Sequence, residues 1–262
     1  MQEEGALLAV ERQKIIRETL EREGVVRNAE LKQILQVSTV TIRADLRELE
    51  NAGICEIIWG GAVYKQPVVE AEPLLLTKRS KLNLEAKQRI GARAAQLIES
   101  GQTIIVDAGS TTVELVRHLP HDLEYLRIVT QALNIAAAAV QFPQVELVMT
   151  GGVLRNLTFS LIGPQVIRTL EMFNADWTFL ASGGFTMERG VTTSNILEAE
   201  LKKTMIERAQ RVALVADHTK FGSALSLTIA PLAGIDVLIT DNEMSDENAH
   251  QIESTGVEVI RV

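Results

Sequence analysis

The sequence predicts an α/β protein in two parts: a small helical unit closed by a β-hairpin, then a larger, mostly parallel α/β domain. Three observations carry this expectation. Residues 6–64 show short helical periods that end in aromatic and glycine residues. From residue 84 to 262, short β-branched apolar runs alternate with amphipathic stretches, the pattern of a sheet buried on both faces. Between them, 65–83 holds the run QPVVEAEPLLLTKRSKLN, with two prolines and no clean period, and reads as a linker.

The first helix is expected over Glu11–Glu23, where Ile15, Ile16, Thr19 and Leu20 share one side and Gly24 fits the position just past the end. Asn28 can cap a second helix with inner face Leu31, Ile34 and Leu35. The next stretch, VSTVTIRADLREL, is rich in β-branched residues that favour strands. Its spacing decides otherwise. Ile42, Leu46 and Leu49 recur at four and three residues, one stripe of a helix, and Ser38 is a good N-cap. Thr39, Arg43 and Arg47 stand on the other face. Two helices joined by a three-residue turn, the second with a polar N-terminal end, form a helix-turn-helix. Two β runs, Ile54–Trp59 and Ala62–Tyr64, then meet at Gly60-Gly61, a pair that tolerates a tight turn, so a hairpin wing is expected.

In the second part, strands are expected at Thr103–Val106, Arg127–Thr130, Val145–Thr150, Trp177–Ser182, Val212–Asp217, Val237–Thr240 and Val257–Val262. Helices are expected at Leu84–Ser100, Thr112–His118, Leu133–Phe142, Glu198–Arg208 and Asp246–Ser254. Strand ends run into DAGSTT (107–112), TQA, TGG, SGG and DHTK, which together make a polar crevice on an apolar frame. In parallel sheets ligands bind at those carboxyl ends. DAGSTT places Gly109 and three hydroxyls, Ser110, Thr111 and Thr112, at a helix start, where backbone N–H groups suit phosphate, though Ser and Thr are ordinary caps as well. Charged candidates for the crevice are Asp107, Arg155, Lys202, Asp217 and Lys220. P-loop and dinucleotide glycine patterns are absent, and the four histidines lack metal spacing, so no metal and no cofactor are expected.

The 262 residues are 46% hydrophobic with a net charge of −8, so attraction for nucleic acid must come from a local surface. Residues 1–64 hold eight Lys plus Arg against eleven Asp plus Glu. The residues alone therefore leave open both DNA binding and a plain three-helix packing module. No apolar run reaches the roughly 18 residues of a membrane span. The acidic start MQEEGALLAV lacks a basic signal region, so a cytoplasmic location is expected. The one cysteine, Cys55, fits a reducing compartment and reads as an apolar filler.

The run Glu11–Val63, with VSTVTIRADLRELENAG followed by WGGAV, resembles the winged helix-turn-helix of the DeoR-type bacterial transcriptional regulators. The matching positions are Val37, Ser38, Thr41, Ile42, Arg43, Asp45, Leu46, Leu49 and Glu50. Ala44 stands in place of a usual arginine, Glu56 in place of a basic wing residue, and Trp59 in place of histidine or tyrosine. Further pieces resemble the same family's effector domain: EAKQRIGARAAQLIESGQTIIVDAGSTT, LVMTGGVLR, ERGVTTSNILEAELKKTMIERA, VADHTKFG and DVLIT. Two pieces depart, Thr130-Gln131-Ala132 for a common T-N-S and Ala181-Ser182-Gly183-Gly184 for G-A-D-G.

The resemblance implies a sensor domain with the sugar-phosphate isomerase fold that answers to phosphorylated sugars. It implies that Gly109, Ser110, Thr111 and Thr112 hold a phosphate while Asp107, Lys202 and Lys220 face the sugar. Thr130, Gly151, Gly152, Arg155, Gly183 and Asp217 complete the expected effector site. On the DNA side, Thr39 and Arg43 are expected in the major groove, with Arg47, Arg27 and Lys32 on phosphates. Ser38, Thr41, Trp59, Gly60 and Gly61 complete that surface. The expected function is a repressor of a sugar-utilisation operon, binding double-stranded operator DNA as a dimer or tetramer and released by a sugar phosphate. Two alternatives stand beside it: an isomerase-like enzyme with an added N-terminal domain, and a ligand-binding or interaction module without DNA binding.

Overall fold

The computed structural model describes residues 8–52, 54–64, 69–70 and 75–262, and the chain divides into two compact units, residues 1–68 and 69–262. The expected domain start at residue 6, and residues 65–68 and 71–74 of the expected linker, lie outside the described residues.

The first unit runs α1 (Ala9–Glu23), β1 (Val25–Arg27), α2 (Asn28–Leu35), α3 (Thr39–Asn51), β2 (Cys55–Ile58) and β3 (Gly61–Tyr64). Ile16 and Leu20 of α1, Leu31 and Leu35 of α2, and Ile42, Leu46 and Leu49 of α3 close one core with Val26, Cys55 and Ala62. Ile34 differs from expectation: it lies outward, 53% exposed, because the inner stripe of α2 needs only the i, i+4 pair Leu31 and Leu35. Ser38 caps α3 as expected, its Oγ accepting from the Thr41 amide at 3.2 Å. Tertiary packing of the Ile42–Leu46–Leu49 stripe thus overrides the β-branched propensity of its first turn. Asp45, buried on α3, accepts two hydrogen bonds from the Arg12 guanidinium, at 2.8 and 3.0 Å, and so ties α3 to α1. Asp45, part of the family-like signature, is a clamp and not a contact for a partner.

The wing is a three-stranded sheet of order β1-β3-β2, one strand more than the hairpin expected. Its turn is Trp59-Gly60 and not Gly60-Gly61: Ile58 pairs with Gly61, and Gly60 has φ 92°. Gly61 has another reason to be glycine, since a Cβ there would stand 2.0 Å from the Val26 carbonyl oxygen. Gly61→Ala is accordingly expected to destabilise this unit by about 1–3 kcal/mol, the range for forced overpacking. Urea unfolding of the variant checks this; an unchanged midpoint would show that β1 and β3 separate freely.

The second unit begins with β4 (Val69–Glu70), α4 (Leu76–Arg79) and α5 (Leu84–Ala95). The linker expectation over 65–83 is corrected here. Leu76 is buried, and α4 is a single helical turn of this unit, too short to show a period in sequence. Alternation follows: β5 (Thr103–Val106), α6 (Thr112–Arg117), β6 (Leu126–Thr130), α7 (Leu133–Ala139), β7 (Val145–Met149), the hairpin β8 (Val153–Arg155) and β9 (Ser160–Ile162), α8 (Pro164–Leu170) and β10 (Ala175–Leu180). Then come β11 (Gly184–Thr186), β12 (Gly190–Thr193), α9 (Ile196–Glu207), β13 (Ala209–Val215), β14 (Ser223–Ala224), β15 (Leu227–Ala230), β16 (Val237–Thr240), α10 (Asp246–Glu253) and β17 (Glu258–Arg261).

All seven expected strands pair in one parallel sheet of order β17-β16-β13-β10-β5-β6-β7. Ile104 and Val106 face one core with α5, α6 and α7, while Ile105 faces the other with α8, α9 and α10. Strands buried on both sides give unbroken apolar runs. The antiparallel sheet β11-β12-β15 was not expected from sequence; it packs Phe185, Val191 and Ile229 into the second core. Strand order advances β5, β6, β7 in one direction and returns to β10, β13, β16, β17 in the other. The chain therefore reverses between β5 and β10, and that switch point is where open α/β sheets bind ligands.

Candidate functional site: a nucleic-acid interface and a ligand cavity

In the first unit, α3 offers an open face. Arg43 and Arg47 are exposed and carry no ion pair among the described residues. Its first turn holds no acidic residue, so the free amide groups and helix dipole favour an anion there. Thr39 is half-buried, and Val40, which sequence reasoning passed over, is 78% exposed on the same helix with Ala44 exposed one turn on. Methyl groups at those two places suit thymine methyls, as the guanidinium of Arg43 suits guanine. Ser38 and Thr41 are bound to each other, Oγ to Oγ1 at 2.9 Å, and serve the cap. Arg27 and Lys32 are exposed. Arg27 lies across from Gly61, and the Asn28 amide donates to the Gly60 carbonyl at 2.8 Å, so the wing turn is fastened to the start of α2. Trp59 and Gly60 are exposed at that turn, whereas Gly61 is buried and can touch no partner.

In the second unit, a cavity of about 320 Å³ opens at the switch point. Its floor is Asp107 after β5, Gln131 after β6, Ala181–Gly183 after β10 and Asp217 after β13. Asn195 caps α9, accepting from the Leu197 and Glu198 amides at 3.1 Å, and the i, i+4 pair Glu198 and Lys202 then shares a face toward the cavity. The β8–β9 hairpin adds Arg155 and Thr158, and α4–α5 adds Arg79, Asn83 and Lys87.

Of the expected effector residues, the fold brings Asp107, Arg155, Gly183, Lys202, Asp217 and Lys220 together here. It does not bring the rest. Gly109 packs toward Ala181. Ser110 lines a separate hollow of about 290 Å³ with Thr77, Arg117 and Asn134. Thr111 and Thr112 are buried, and no side-chain cap bond is made at α6. The Thr130 hydroxyl donates to the Val106 carbonyl at 2.6 Å, and Gly151 and Gly152 form a positive-φ turn after β7. Arg79, Asn83, Lys87, Gln131, Ser182, Thr193 and Glu198 were missed. Most lie on elements whose role appears only after folding; the EAKQ start of α5 was the one signal, a lysine on the buried side of a helix.

The carboxylates in this cavity are already engaged. Asp107 accepts from the amides of Ala108 (2.8 Å) and Ala181 (3.0 Å), from Gln131 Nε2 (2.9 Å) and from the Lys202 ammonium. Glu198 accepts from Arg155 at 2.7 Å and from the hydroxyls of Thr158 and Thr193 at 3.0 Å. Burial alone would raise the Asp217 carboxyl, but Thr219, Lys220, Lys87 and Asn83 together hold it below its ordinary range. Arg79 and Lys220 keep no carboxylate partner within 4 Å among the described residues, and burial lowers both. Gln131 Oε1 is also buried without a partner. Cations thus outnumber carboxylates in the lining, Arg79, Lys87, Arg155, Lys202 and Lys220 against Asp107, Glu198 and Asp217, and the chemistry favours a polar anion. Outside the cavity, His218 is braced by Asp241 and Glu243 at 2.8 and 3.3 Å. Both Asp241 oxygens also accept backbone amides, so this cluster holds the 218–220 turn in place.

Lys87 donates to the carbonyls of Arg79 (2.6 Å) and Leu82, and burial pushes its ammonium from 10.5 down to about 8. Between those pH values the unfolded chain carries a proton that the folded chain has shed, so this group's contribution to stability rises with pH across the window. Anion affinity moves the opposite way as the cavity loses positive charge. Thermal melts from pH 7 to 9.5 should show the wild type gaining on Lys87→Met; a constant difference would contradict this.

A helix-turn-helix with a wing in one unit and a ligand-sized cavity in the other define a sensor-type DNA-binding regulator. The chain belongs to the DeoR family: residues 12–68 match the DeoR-like helix-turn-helix domain and residues 82–242 the DeoR C terminal sensor domain. It is 35% identical to the HTH-type transcriptional regulator GolR of Listeria innocua, over 95% of this chain and 97% of that one. It is 37% identical to the regulator GlpR of Haloferax volcanii, over 88% and 89%. It is 30% identical to the HTH-type transcriptional repressor CsqR of Escherichia coli, over 90% and 89%. Ribose 5-phosphate isomerase A of Methanocaldococcus jannaschii overlays 53% of this chain and 55% of its own, with a TM-score of 0.40 and 15% identity, too partial a match to carry any inference. No helix among the described residues is long and apolar enough to cross a membrane.

Proposed function

We propose that this DNA-binding transcriptional regulator is a repressor of a sugar-utilisation operon, acting in the cytoplasm and released from its operator when a phosphorylated sugar fills the cavity. The observation that carries the reading is the charge arrangement. Asp107 and Glu198 are spent on internal partners, and the lining sets five cationic side chains (Arg79, Lys87, Arg155, Lys202 and Lys220) against three carboxylates (Asp107, Glu198 and Asp217), a positive surplus. A phosphate dianion meets that surplus, and Gln131 Oε1, Ser182 and Ser194 offer partners to sugar hydroxyls. The sensor-domain match and the repressor among the relatives support the direction of control.

Ligand and DNA are coupled through their differential affinity for two arrangements of the chain. A dimer or tetramer fits this action, since paired half-sites mirror two-fold symmetry. An isomerase needs a carboxylate free to move a proton, and the cavity offers none uncommitted: Asp217 itself accepts from Thr219 and Asn83. The test is fluorescence anisotropy with a duplex enriched from a random-sequence library by the full chain, at two salt concentrations and against a panel of sugar phosphates. Release by one member, with affinity falling steeply in salt, is the expected result. Selective DNA binding that no phosphorylated sugar relieves would overturn the effector assignment, and turnover of a panel member would restore the enzyme reading.

A further inference from the structure

The wing tip carries a feature that phosphate contacts do not explain. Trp59 is fully exposed, and Ile57 and Ile58 beside it are 37% and 45% exposed. From Cys55 to Tyr64 the one charged residue is Glu56, so the β2–β3 hairpin itself holds no cation with which to grip a phosphate, and the one cation of this sheet is Arg27 on β1. The turn is nonetheless held firmly. Ile58 pairs with Gly61, the Asn28 amide binds the Gly60 carbonyl at 2.8 Å, and the Ile57 amide donates to Glu50 of α3 at 2.9 Å. A large indole is therefore carried on an anchored turn, two residues from Gly61, which pairs with Arg27 of β1, and on the hairpin tied to α3.

We propose that Trp59 is an apolar wedge for duplex DNA, entering the minor groove beside the half-site and partly unstacking one base step while Arg27 holds the adjoining phosphate. This rests on the operator-binding reading and deepens it by assigning the wing a non-ionic contact and a bend. Apolar side chains inserted between base steps kink DNA toward the major groove and let it meet more protein surface. A flat aromatic ring gains from base faces irrespective of sequence. Glu56 fits the same picture: a wing that acts by insertion needs no attraction for the backbone, and its acid keeps the strand from settling along it.

The experiment uses the full chain and the library-enriched duplex. The sequence holds two tryptophans, and Trp177 is buried, so Trp59→Phe leaves a constant emission baseline. Titrating DNA should quench or shift the Trp59 component. Trp59→Ala should bind about tenfold more weakly, as loss of one aromatic stacking contact implies. Its salt slope should match wild type, whereas Arg27→Ala should lose about one unit of slope. Circularly permuted probes should show a smaller bend with Trp59→Ala. Unchanged emission, unchanged Trp59→Ala affinity or an unchanged bend would overturn the wedge. So would a fall in self-association of Trp59→Ala without DNA at unaltered operator affinity, which would make the tip a protein contact. If no duplex is enriched, the operator reading falls and the wedge falls with it; an enriched duplex with a silent Trp59 removes the wedge alone.

Discussion

Asp107→Ala should lower the melting temperature of the second unit by about 10 °C, equivalent to roughly 3–5 kcal/mol for breaking a buried ion pair in a domain of this size. The residue is 1% exposed at the end of β5 and holds four donors from four places: its own loop, the β6 end, the β10 end and α9. Its loss leaves the Lys202 ammonium buried with only the Ala181 carbonyl at 2.7 Å. Adding Lys202→Met to Asp107→Ala should recover part of the loss, since the stranded charge goes with it. Recovery should stay incomplete because the Ala181 amide and Gln131 Nε2 remain unanswered. Calorimetry on the two singles and the double decides the matter. Additive losses would mean that Asp107 and Lys202 act separately, and the sequence expectation that both reach for a sugar would regain ground.

Arg43→Ala should weaken operator binding by about 1–3 kcal/mol and relax base preference at one position of each half-site. Arg43 is exposed on α3 without an ion pair among the described residues, so its guanidinium is free to meet the two acceptors on the guanine edge. Arg47→Ala serves as the contrast, expected to weaken all duplexes alike and to reduce the salt slope. Anisotropy on the enriched duplex and on single-base variants separates the two. An Arg43→Ala chain with unaltered preference would move base reading to Thr39, Val40 and Ala44.

The sheet was legible because of where its strands lie. Ile104–Val106, Ile128–Val129 and Val237–Ile239 are covered on both faces, so they read as unbroken apolar runs between amphipathic helices. The helix-turn-helix was legible for a different reason: Ser38, Ile42, Leu46 and Leu49 obey helical spacing against their own propensity. The wing turn was misplaced by one residue because either glycine of Gly60-Gly61 suits a turn, and only the approach of Val26 to Gly61 distinguishes them. That approach comes from β1, a three-residue strand too short to announce itself.

The cavity was half legible. Strand ends pointed to Asp107, Gly183 and Asp217, and the family resemblance to Lys202. The hydroxyls of DAGSTT do not line this cavity, since Gly109 packs against Ala181, Thr111 and Thr112 are buried, and Ser110 faces the smaller hollow. Arg79 and Lys87 stayed hidden because α4 is one turn long and no local pattern says which strand end it will cover.

The single cysteine bears on how the two units can be watched separately. Cys55 is 1% exposed, its Sγ 3.8 Å from the Leu46 carbonyl oxygen, and burial, followed by the charge of Glu50, pushes its thiol up. A thiol reagent can reach it only when the first unit opens, so the rate of labelling is a clock for that unit and is blind to the other. Buried Trp177 reports on the second unit in the Trp59→Phe chain. The Trp59→Phe chain thus holds one chemical reporter and one optical reporter, and the local opening of each half can be timed in the same tube without attaching a dye.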